Sequence, residues 1–211
     1  MRIERNGLGI SRATLILTLW SGLAVWQGCS ASQGPPINYA AEPDPRKHGF
    51  VLGPSDVLRI SVWHNPDLSA DAIVRPDGNI TLPLLGEIVA AGSTAAELQA
   101  TIAERLRTFV KDEGAVVTVA VTAINSYRFT ITGSVAKPGV FTSTHYVTFS
   151  EAMTMAGGPD RFATPEKIVI QRLGAKGQPA RRIPVNYTKV IAGESPEQDL
   201  TVLAGDAIYV P

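Results

Sequence analysis

The sequence contains very few of the residues that build disulfide or metal-bound frameworks. It has one cysteine, three histidines and 7% aromatic residues in a chain of 211. A single cysteine excludes an intramolecular disulfide. The formal net charge is zero, whereas a nucleic-acid-binding protein would need a basic face, so that class is not indicated. Apolar residues make up 45% of the chain and charged residues 18%, which suits a packed core and argues against wholesale disorder.

The apolar run at the N-terminus, residues 13–26, is too short to be a good membrane-spanning helix by itself. Such a helix needs about 20 apolar residues. The run follows three arginines and ends in small residues, which is the pattern of a signal peptide. We therefore predict that residues 1–28 are a signal peptide of the lipoprotein type.

The only cysteine lies directly at the end of this run. Gly28 and Cys29 resemble the junction of a bacterial lipoprotein signal, in which the cysteine is acylated and becomes the first residue. We therefore predict lipidation of Cys29 and attachment to the periplasmic face of the outer membrane. The alternative is ordinary cleavage near Ala31, which would leave a soluble periplasmic protein. The proline-containing, aperiodic stretch 29–47 predicts a flexible tether.

Short strands and one amphipathic helix are predicted from residue 50 onward. Residues 57–63 alternate apolar and polar side chains, as a half-buried strand does. The turn residues 76–79 predict a hairpin between 72–75 and 80–82. Thr94 and Glu97 form a capping-box pattern before a helix. The apolar residues at helical spacing predict its buried face; they are Ala95, Leu98, Ile102, Leu106 and Phe109.

A second unit of the same style follows a strand predicted over 116–121. It has predicted strands, a second capping box at Thr148 and Glu151, and a short helix that ends at 157–159. The predicted strands of this unit are 127–132, 140–142, 167–172, 181–185 and the closing strand 207–210. The turn Gly205-Asp206 also repeats the pattern of 53–58, in which glycine and aspartate precede an apolar strand. The predicted fold class is α+β, with two small β-rich subdomains that each carry a packed helix and meet near 122–126.

Longer motifs resemble a known family. Residues 52–63 and 74–87 resemble the export domain of the outer-membrane polysaccharide export (Wza-type) family, although Ser55 stands where glycine is common. Residues 133–141 and 156–158 resemble the SLBB domain, a β-grasp-like module. The resemblance implies an export domain over 48–124 and an SLBB domain over 125–211. Its structural signature residues are Gly53, Asp56, Asp77, Gly78, Pro83, Gly86, Gly133, Pro138, Gly139, Gly157 and Gly158.

This resemblance implies a function in transport rather than catalysis. Members of the family form a ring of identical subunits, an octamer in the best-known relatives, through which capsular or exopolysaccharide leaves the cell. An inner-membrane polysaccharide co-polymerase delivers the polymer. Wza-type relatives continue into a C-terminal amphipathic helix that forms an outer-membrane barrel, and this sequence stops at Pro211, so we expect a separate outer-membrane pore protein. A monomeric periplasmic module that binds glycan or another ligand is the alternative, and an enzyme acting on the cell envelope is a second rival.

Catalytic, cofactor and metal sites are not predicted. The histidines His48, His64 and His145 share no spacing that would gather metal ligands. Four acidic residues could supply a carboxylate pair for glycoside cleavage, but acidic residues near turns are usually solvated caps; they are Asp56, Asp67, Asp71 and Glu87. Three aromatic residues could stack on sugar rings, but core packing is the favoured interpretation; they are Phe141, Tyr146 and Phe149.

Overall fold

The computed structural model describes residues 37–109, 116–174 and 179–211. Two hydrophobic cores lie in these residues. One is built from side chains between Leu52 and Val119, and the other from side chains between Tyr127 and Val210. Each core combines strands with at least one packed helix, so the predicted α+β class with two β-rich regions is confirmed. The cores lie within the predicted domain boundaries 48–124 and 125–211, which themselves stay a prediction.

The first region contains five strands and one helix. They are β1 (Val57–Val62), β2 (Ala70–Ile73), β3 (Asn79–Leu82), β4 (Gly86–Val89), α1 (Ala95–Leu106) and β5 (Val117–Ala123). Strand β1 lies between β2 and β5 in an antiparallel three-stranded sheet, and β3 pairs with β4 in a separate hairpin. Alternate residues of β1 are buried, as the period of two predicts.

Helix α1 begins at the predicted capping box. The Thr94 hydroxyl accepts a hydrogen bond from the Glu97 backbone N–H, and the Glu97 carboxylate accepts one from the Thr94 N–H at 2.7 Å. Leu98, Ile102 and Leu106 are buried. Phe109 is 56% exposed, so its predicted place on the buried face is wrong. The α-helix ends at Leu106, and the turn that follows carries Phe109 off the helical face.

The predicted hairpin in the first region is also wrong, although its turn forms. The Gly78 N–H donates to the Arg75 carbonyl at 2.9 Å, and Gly78 has a positive φ of +87°. The strands on either side of this turn, however, belong to different sheets. Strand β2 pairs with β1, and β3 pairs with β4. Strand β4 folds directly back onto β3 through a second tight turn, in which Leu84 and Gly86 have positive φ angles.

The second region contains a five-stranded mixed sheet. Its elements are β6 (Arg128–Gly133), β7 (Gly139–Thr142), α2 (Phe149–Met155), β8 (Ile168–Arg172), β9 (Arg181–Val185), α3 (Tyr187–Ala192) and β10 (Ala207–Val210). The strand order is β7-β6-β10-β8-β9, and β10 runs parallel to β6 and antiparallel to β8. The second capping box, at Thr148 and Glu151, begins α2 as predicted.

Helix α3 is an element that the sequence analysis missed. Its start is marked by Asn186, whose side chain accepts a hydrogen bond from the Lys189 N–H at 3.0 Å. Its end is marked by Gly193 in the left-handed conformation, with φ +73°. An asparagine N-cap followed by a glycine C-cap at this spacing is a usable helix signal. The helix is only six residues long, too short for apolar periodicity to reveal.

The segment before the first strand is packed against the second region. Ile37 and Tyr39 contact its hydrophobic core, and the Tyr39 hydroxyl donates to the Pro184 carbonyl at 2.7 Å. Two 3₁₀ turns, Tyr39–Ala41 and Pro45–Lys47, shape the segment. The flexible tether predicted over 29–47 therefore does not extend over residues 37–47. Residues 29–36 and the predicted signal peptide lie outside the described residues.

Candidate functional site

Asp56 joins the two regions of the fold. Its side chain is fully buried, and its Oδ1 accepts hydrogen bonds from the backbone N–H groups of Asn125 and Ser126, both at 2.8 Å. Its Oδ2 accepts from the Gly53 N–H at 2.9 Å and from the Ser126 hydroxyl at 2.7 Å. Four donors satisfy the buried carboxylate. A turn of the first region thus fixes the start of the second.

Gly53 is required by the close approach at this junction. A Cβ atom at this position would lie 2.5 Å from the Ser126 Cβ, which is closer than any packing tolerates. Ser55 follows with φ +76°, a conformation that costs an L-residue energy and that glycine adopts freely. This explains physically why glycine suits the position that Ser55 occupies.

Asp206 occupies the equivalent position in a turn of the second region. It is 1% exposed, it follows Gly205 with φ +84°, and it accepts a hydrogen bond from the Leu203 N–H at 2.8 Å. Asp56 accepts from the residue three positions before it in the same way. The repeated glycine-aspartate pattern in the sequence is therefore a repeated turn in the structure, in which a carboxylate closes a loop before a strand.

Asp206 belongs to a buried ionic network that sequence reasoning missed. The Arg172 guanidinium donates to the Asp206 carboxylate at 2.7 Å and to the Thr201 carbonyl at 2.9 Å. It also pairs with Glu42 at 3.1 Å, and Glu42 pairs with Arg181. The side chains of Arg172, Glu42 and Asp206 are 5%, 2% and 1% exposed. A buried guanidinium is costly unless it is paired with opposite charge. Through its pair with Glu42, Arg172 holds residues 37–47 on the second region.

The remaining signature residues lie in turns and close contacts. Gly133 has φ +94°, and a Cβ there would lie 1.9 Å from the Val210 carbonyl oxygen. Gly157 and Gly158 both have positive φ after α2. Pro83 and Gly86 flank the β3–β4 turn, Pro138 and Gly139 precede and begin β7, and the Asp77 carboxylate accepts a hydrogen bond from the Asn79 N–H at 3.1 Å. These positions shape the backbone, and their contribution to function stays a prediction.

Two of the four candidate carboxylates form ion pairs with a nearby arginine. The Arg59 guanidinium holds Asp71 with two hydrogen bonds of 2.7 and 3.0 Å, and this contact lowers the pKa of the Asp71 carboxyl. Glu87 pairs with Arg75, and Asp56 is committed to the junction. Asp67 lies in the first turn of a 3₁₀ helix at Pro66–Leu68.

The three histidines lie on separate surface segments. Within residues 37–109, 116–174 and 179–211, no group of three histidine, cysteine or acidic side chains lies close enough to hold a metal ion. His145 contacts the Ser143 hydroxyl, and His64 contacts Trp63. The three aromatic residues considered for sugar stacking contribute to the second core instead. Phe149 is fully buried, and Phe141 and Tyr146 pack against that core.

Trp63 is one of the aromatic residues that the described surface presents. It is 65% exposed, and its ring is stacked on His64 with the centroids 5.0 Å apart. The two rings line an open cleft of about 420 Å³ with Ser61, Val116 and Thr118. The alternating pattern of residues 57–63 predicted Trp63 at the end of a strand, with no function. Its position on the polar face of the alternation, beside Arg59 and Ser61, was the available signal.

Two family models match the chain. The model described as polysaccharide biosynthesis/export protein matches residues 44–122, and the SLBB domain model matches residues 128–184. The chain belongs to the polysaccharide export family. The first region is thus its export domain, the second its SLBB domain, and Asp56 lies at the junction between them.

Curated relatives agree with this family. The chain is 23% identical over 146 residues to the polysialic acid transport protein KpsD of Escherichia coli, covering 69% of this chain and 25% of the relative. It is 24% identical to the exopolysaccharide production protein ExoF of Rhizobium meliloti, over 65% and 35% of the two chains. It is 30% identical to the EPS I polysaccharide export outer membrane protein EpsA of Ralstonia nicotianae, over 52% and 34%. The chain therefore spans about a quarter to a third of the length of these relatives.

No helix among the described residues has both the length and the apolar character needed to cross a membrane. Cys29 and the predicted signal peptide lie outside the described residues.

Proposed function

We propose that this protein is a component of the envelope machinery that exports a capsular or extracellular polysaccharide. The observation that carries the proposal is the succession of an export domain and an SLBB domain on one chain. The relatives support it, because their names describe transport, production and export of polysaccharides.

The proposed function is transport without catalysis. A glycosidase needs a carboxylic acid with a raised pKa to protonate the leaving group. The Arg59 contact shifts the pKa of Asp71 in the opposite direction, and buried Asp56 is occupied by four hydrogen-bond donors. These two carboxylates are therefore better suited to holding the fold than to acid catalysis.

The proposed location is the periplasmic face of the outer membrane, with an acyl anchor on Cys29. The anchor is supported by the apolar run before Gly28-Cys29 and by Ser30, which differs from the aspartate that retains lipoproteins in the inner membrane. A single acyl chain binds a membrane only marginally, so stable anchoring requires more than one. Cys29→Ser should release the protein from the membrane fraction, and the wild type should incorporate labelled palmitate. Absence of palmitate from the wild type would contradict the anchor and favour a soluble periplasmic protein.

The proposed assembly is a homo-oligomeric ring, an octamer by analogy with the family, that receives polymer from an inner-membrane co-polymerase. Light scattering of the purified protein in detergent tests the ring, because the mass of a closed ring is an integral multiple of the mass of one processed subunit. A strict monomer that binds a glycan would favour the alternative of a ligand-binding module. A separate outer-membrane pore protein stays a prediction of the sequence.

Deletion of the gene tests the function itself. We expect loss of polysaccharide from the cell surface and restoration by the wild-type gene on a plasmid. Glu194→Gln, at an exposed position beyond α3, is a matched control variant that should restore export fully. Normal surface polysaccharide in the deletion strain would contradict the proposed function.

A further inference from the structure

One face of the three-stranded sheet in the export domain is open along β1. The alternation of β1 buries Leu58, Ile60 and Val62 and turns Arg59, Ser61 and Trp63 to the other face. Successive residues on that face are about 6.6–6.8 Å apart along a strand, so the row is about 13 Å long. Two clefts follow this row, one of about 260 Å³ beside Arg59 and one of about 420 Å³ beside Trp63. Ser61 and Ser69 line both clefts, so the clefts adjoin, and we name the two together the β1 groove.

The β1 groove has an aromatic end. Trp63 and His64 form a stacked pair of rings, 5.0 Å apart and inclined by 27°. The backbone of His64 has φ +59°, a conformation that is uncommon outside glycine and is found disproportionately at functional sites. The Asn65 side-chain amide donates to the Trp63 carbonyl at 3.1 Å, which helps to hold the turn that places the two rings together.

The middle and far end of the β1 groove are polar. Ser61 and Thr118 are cross-strand partners on β1 and β5, so their exposed hydroxyl groups lie side by side beyond the tryptophan. Next along the strand, Arg59 and Asp71 are also cross-strand partners and form a two-point ion pair. The order along the groove is therefore aromatic plane, paired hydroxyl groups and paired charges.

This order matches the chemistry of a sugar chain. A pyranose ring has one face of C–H groups, which packs on the electron-rich face of an aromatic ring, and a rim of hydroxyl groups. The rim can exchange hydrogen bonds with Ser61 and Thr118, since hydroxyl groups both donate and accept. A volume of about 420 Å³ lies in the range of small-molecule sites, which combine apolar walls with a few polar groups.

We propose that the β1 groove binds a short segment of polysaccharide, with one sugar ring stacked on Trp63 and its hydroxyl groups bonded to Ser61 and Thr118. The choice of polysaccharide as the occupant rests on the proposed function. A second copy of the chain is less suited to the groove. A stable protein interface buries about 800 Å² per partner, and its core is apolar and depleted in charge. In the β1 groove the apolar part is limited to the end at Trp63 and Val116, and the rest carries hydroxyl groups and an ion pair.

Tryptophan fluorescence can test this site directly. The chain has three tryptophans, Trp20, Trp26 and Trp63, so the full chain carrying Trp20→Phe and Trp26→Phe reports on Trp63 alone. The probes are cellohexaose and maltohexaose, which present pyranose rings in two linkages, with the same buffer without saccharide as the blank. We expect saturable, millimolar binding of at least one probe, seen as a change in Trp63 emission.

Three variants separate the groove from the rest of the protein. By isothermal titration in the full chain, Trp63→Ala should weaken binding at least tenfold, and Thr118→Val should weaken it severalfold without changing the thermal midpoint. Phe162→Ala is the matched control, because Phe162 is a 73% exposed aromatic side chain on the SLBB domain, and it should bind as the wild type does.

The outcomes distinguish this inference from the proposed function. Failure of both probes to bind, or undiminished binding by Trp63→Ala, would overturn the groove as a saccharide site and leave the export function untouched. A Trp63 signal that changes with protein concentration but not with saccharide would also overturn it, because the groove would then be an interface between copies. Normal export in the gene-deletion strain would overturn the proposed function whatever the groove binds.

Discussion

Arg172 offers the sharpest test of how the fold is held together. Its guanidinium lies between two carboxylates that are both at least 98% buried, those of Glu42 and Asp206. Arg172→Met would keep most of the side-chain volume and leave both carboxylates without their shared cation. Removing one partner of a buried ion pair costs about 3–5 kcal/mol. For a chain of this size, about 2–4 °C per kcal/mol gives a fall in the thermal midpoint of about 6–20 °C.

The assay is thermal unfolding of the full chain, followed by circular dichroism. Arg182→Met is the matched control, because Arg182 is an exposed arginine on β9 and its loss should change the midpoint by no more than about 2 °C, as surface substitutions do. Glu42→Gln should have an intermediate effect of about 1–3 kcal/mol, since Arg172 would keep Asp206. Equal midpoints for Arg172→Met and Arg182→Met would show that the buried network does not stabilise the fold.

Three further changes test individual turns and contacts. Gly133→Ala should lower the free energy of unfolding by about 1–3 kcal/mol because of its positive φ, and further because the new Cβ would meet a backbone oxygen at 1.9 Å. Gly158→Ala is the control, because Gly158 has φ +79° and open space around it, so this variant measures the cost of the positive φ alone. Equal urea midpoints for the two variants would exclude the clash at Gly133. Ser55→Gly should raise the free energy of unfolding by up to about 1 kcal/mol, because relief of roughly 1–2 kcal/mol of backbone strain exceeds the entropic cost of glycine. A urea midpoint below that of the wild type would contradict this. The pKa of Asp44 is lowered from 3.8 to about 2, mainly by the side-chain hydrogen bond from Arg46. The stability that this contact contributes is therefore present above about pH 4 and is lost as the pH falls toward 2. Arg46→Ala should raise the pKa of Asp44 toward 3.8 in an NMR titration, and an unchanged pKa would exclude this contact in solution.

Local patterns predicted the elements of the fold well where each element carries its own signal. The capping boxes at Thr94 and Thr148 set the starts of α1 and α2 because both partners lie within one turn of the chain. The repeated glycine-aspartate turn predicted a shared local structure, which Asp56 and Asp206 show. The alternation of apolar and polar residues in β1 predicted which of its side chains are buried and which are exposed.

Features that depend on distant residues were not predictable in the same way. Glu42 and Arg172 are 130 positions apart, so no spacing in the sequence pairs them. Arg172 occupies an inward position of the apolar strand β8, which was an unused signal for a buried carboxylate partner. Strand β2 was assigned to the wrong neighbour because its turn with β3 is real, whereas its pairing with β1 depends on the sheet as a whole. The surface exposure of Trp63 likewise depends on which side of that sheet is covered.

Pulse labelling of the polysaccharide separates export from biosynthesis, which the description of the matched family names together. Cells depleted of the protein would receive a short pulse of labelled sugar, and the label would be followed from the periplasm to the cell surface. If the protein acts in export, incorporation into polymer continues at first while the label stays inside the cell envelope. An export function would be contradicted if incorporation fell and the polymer still formed reached the surface at the normal rate.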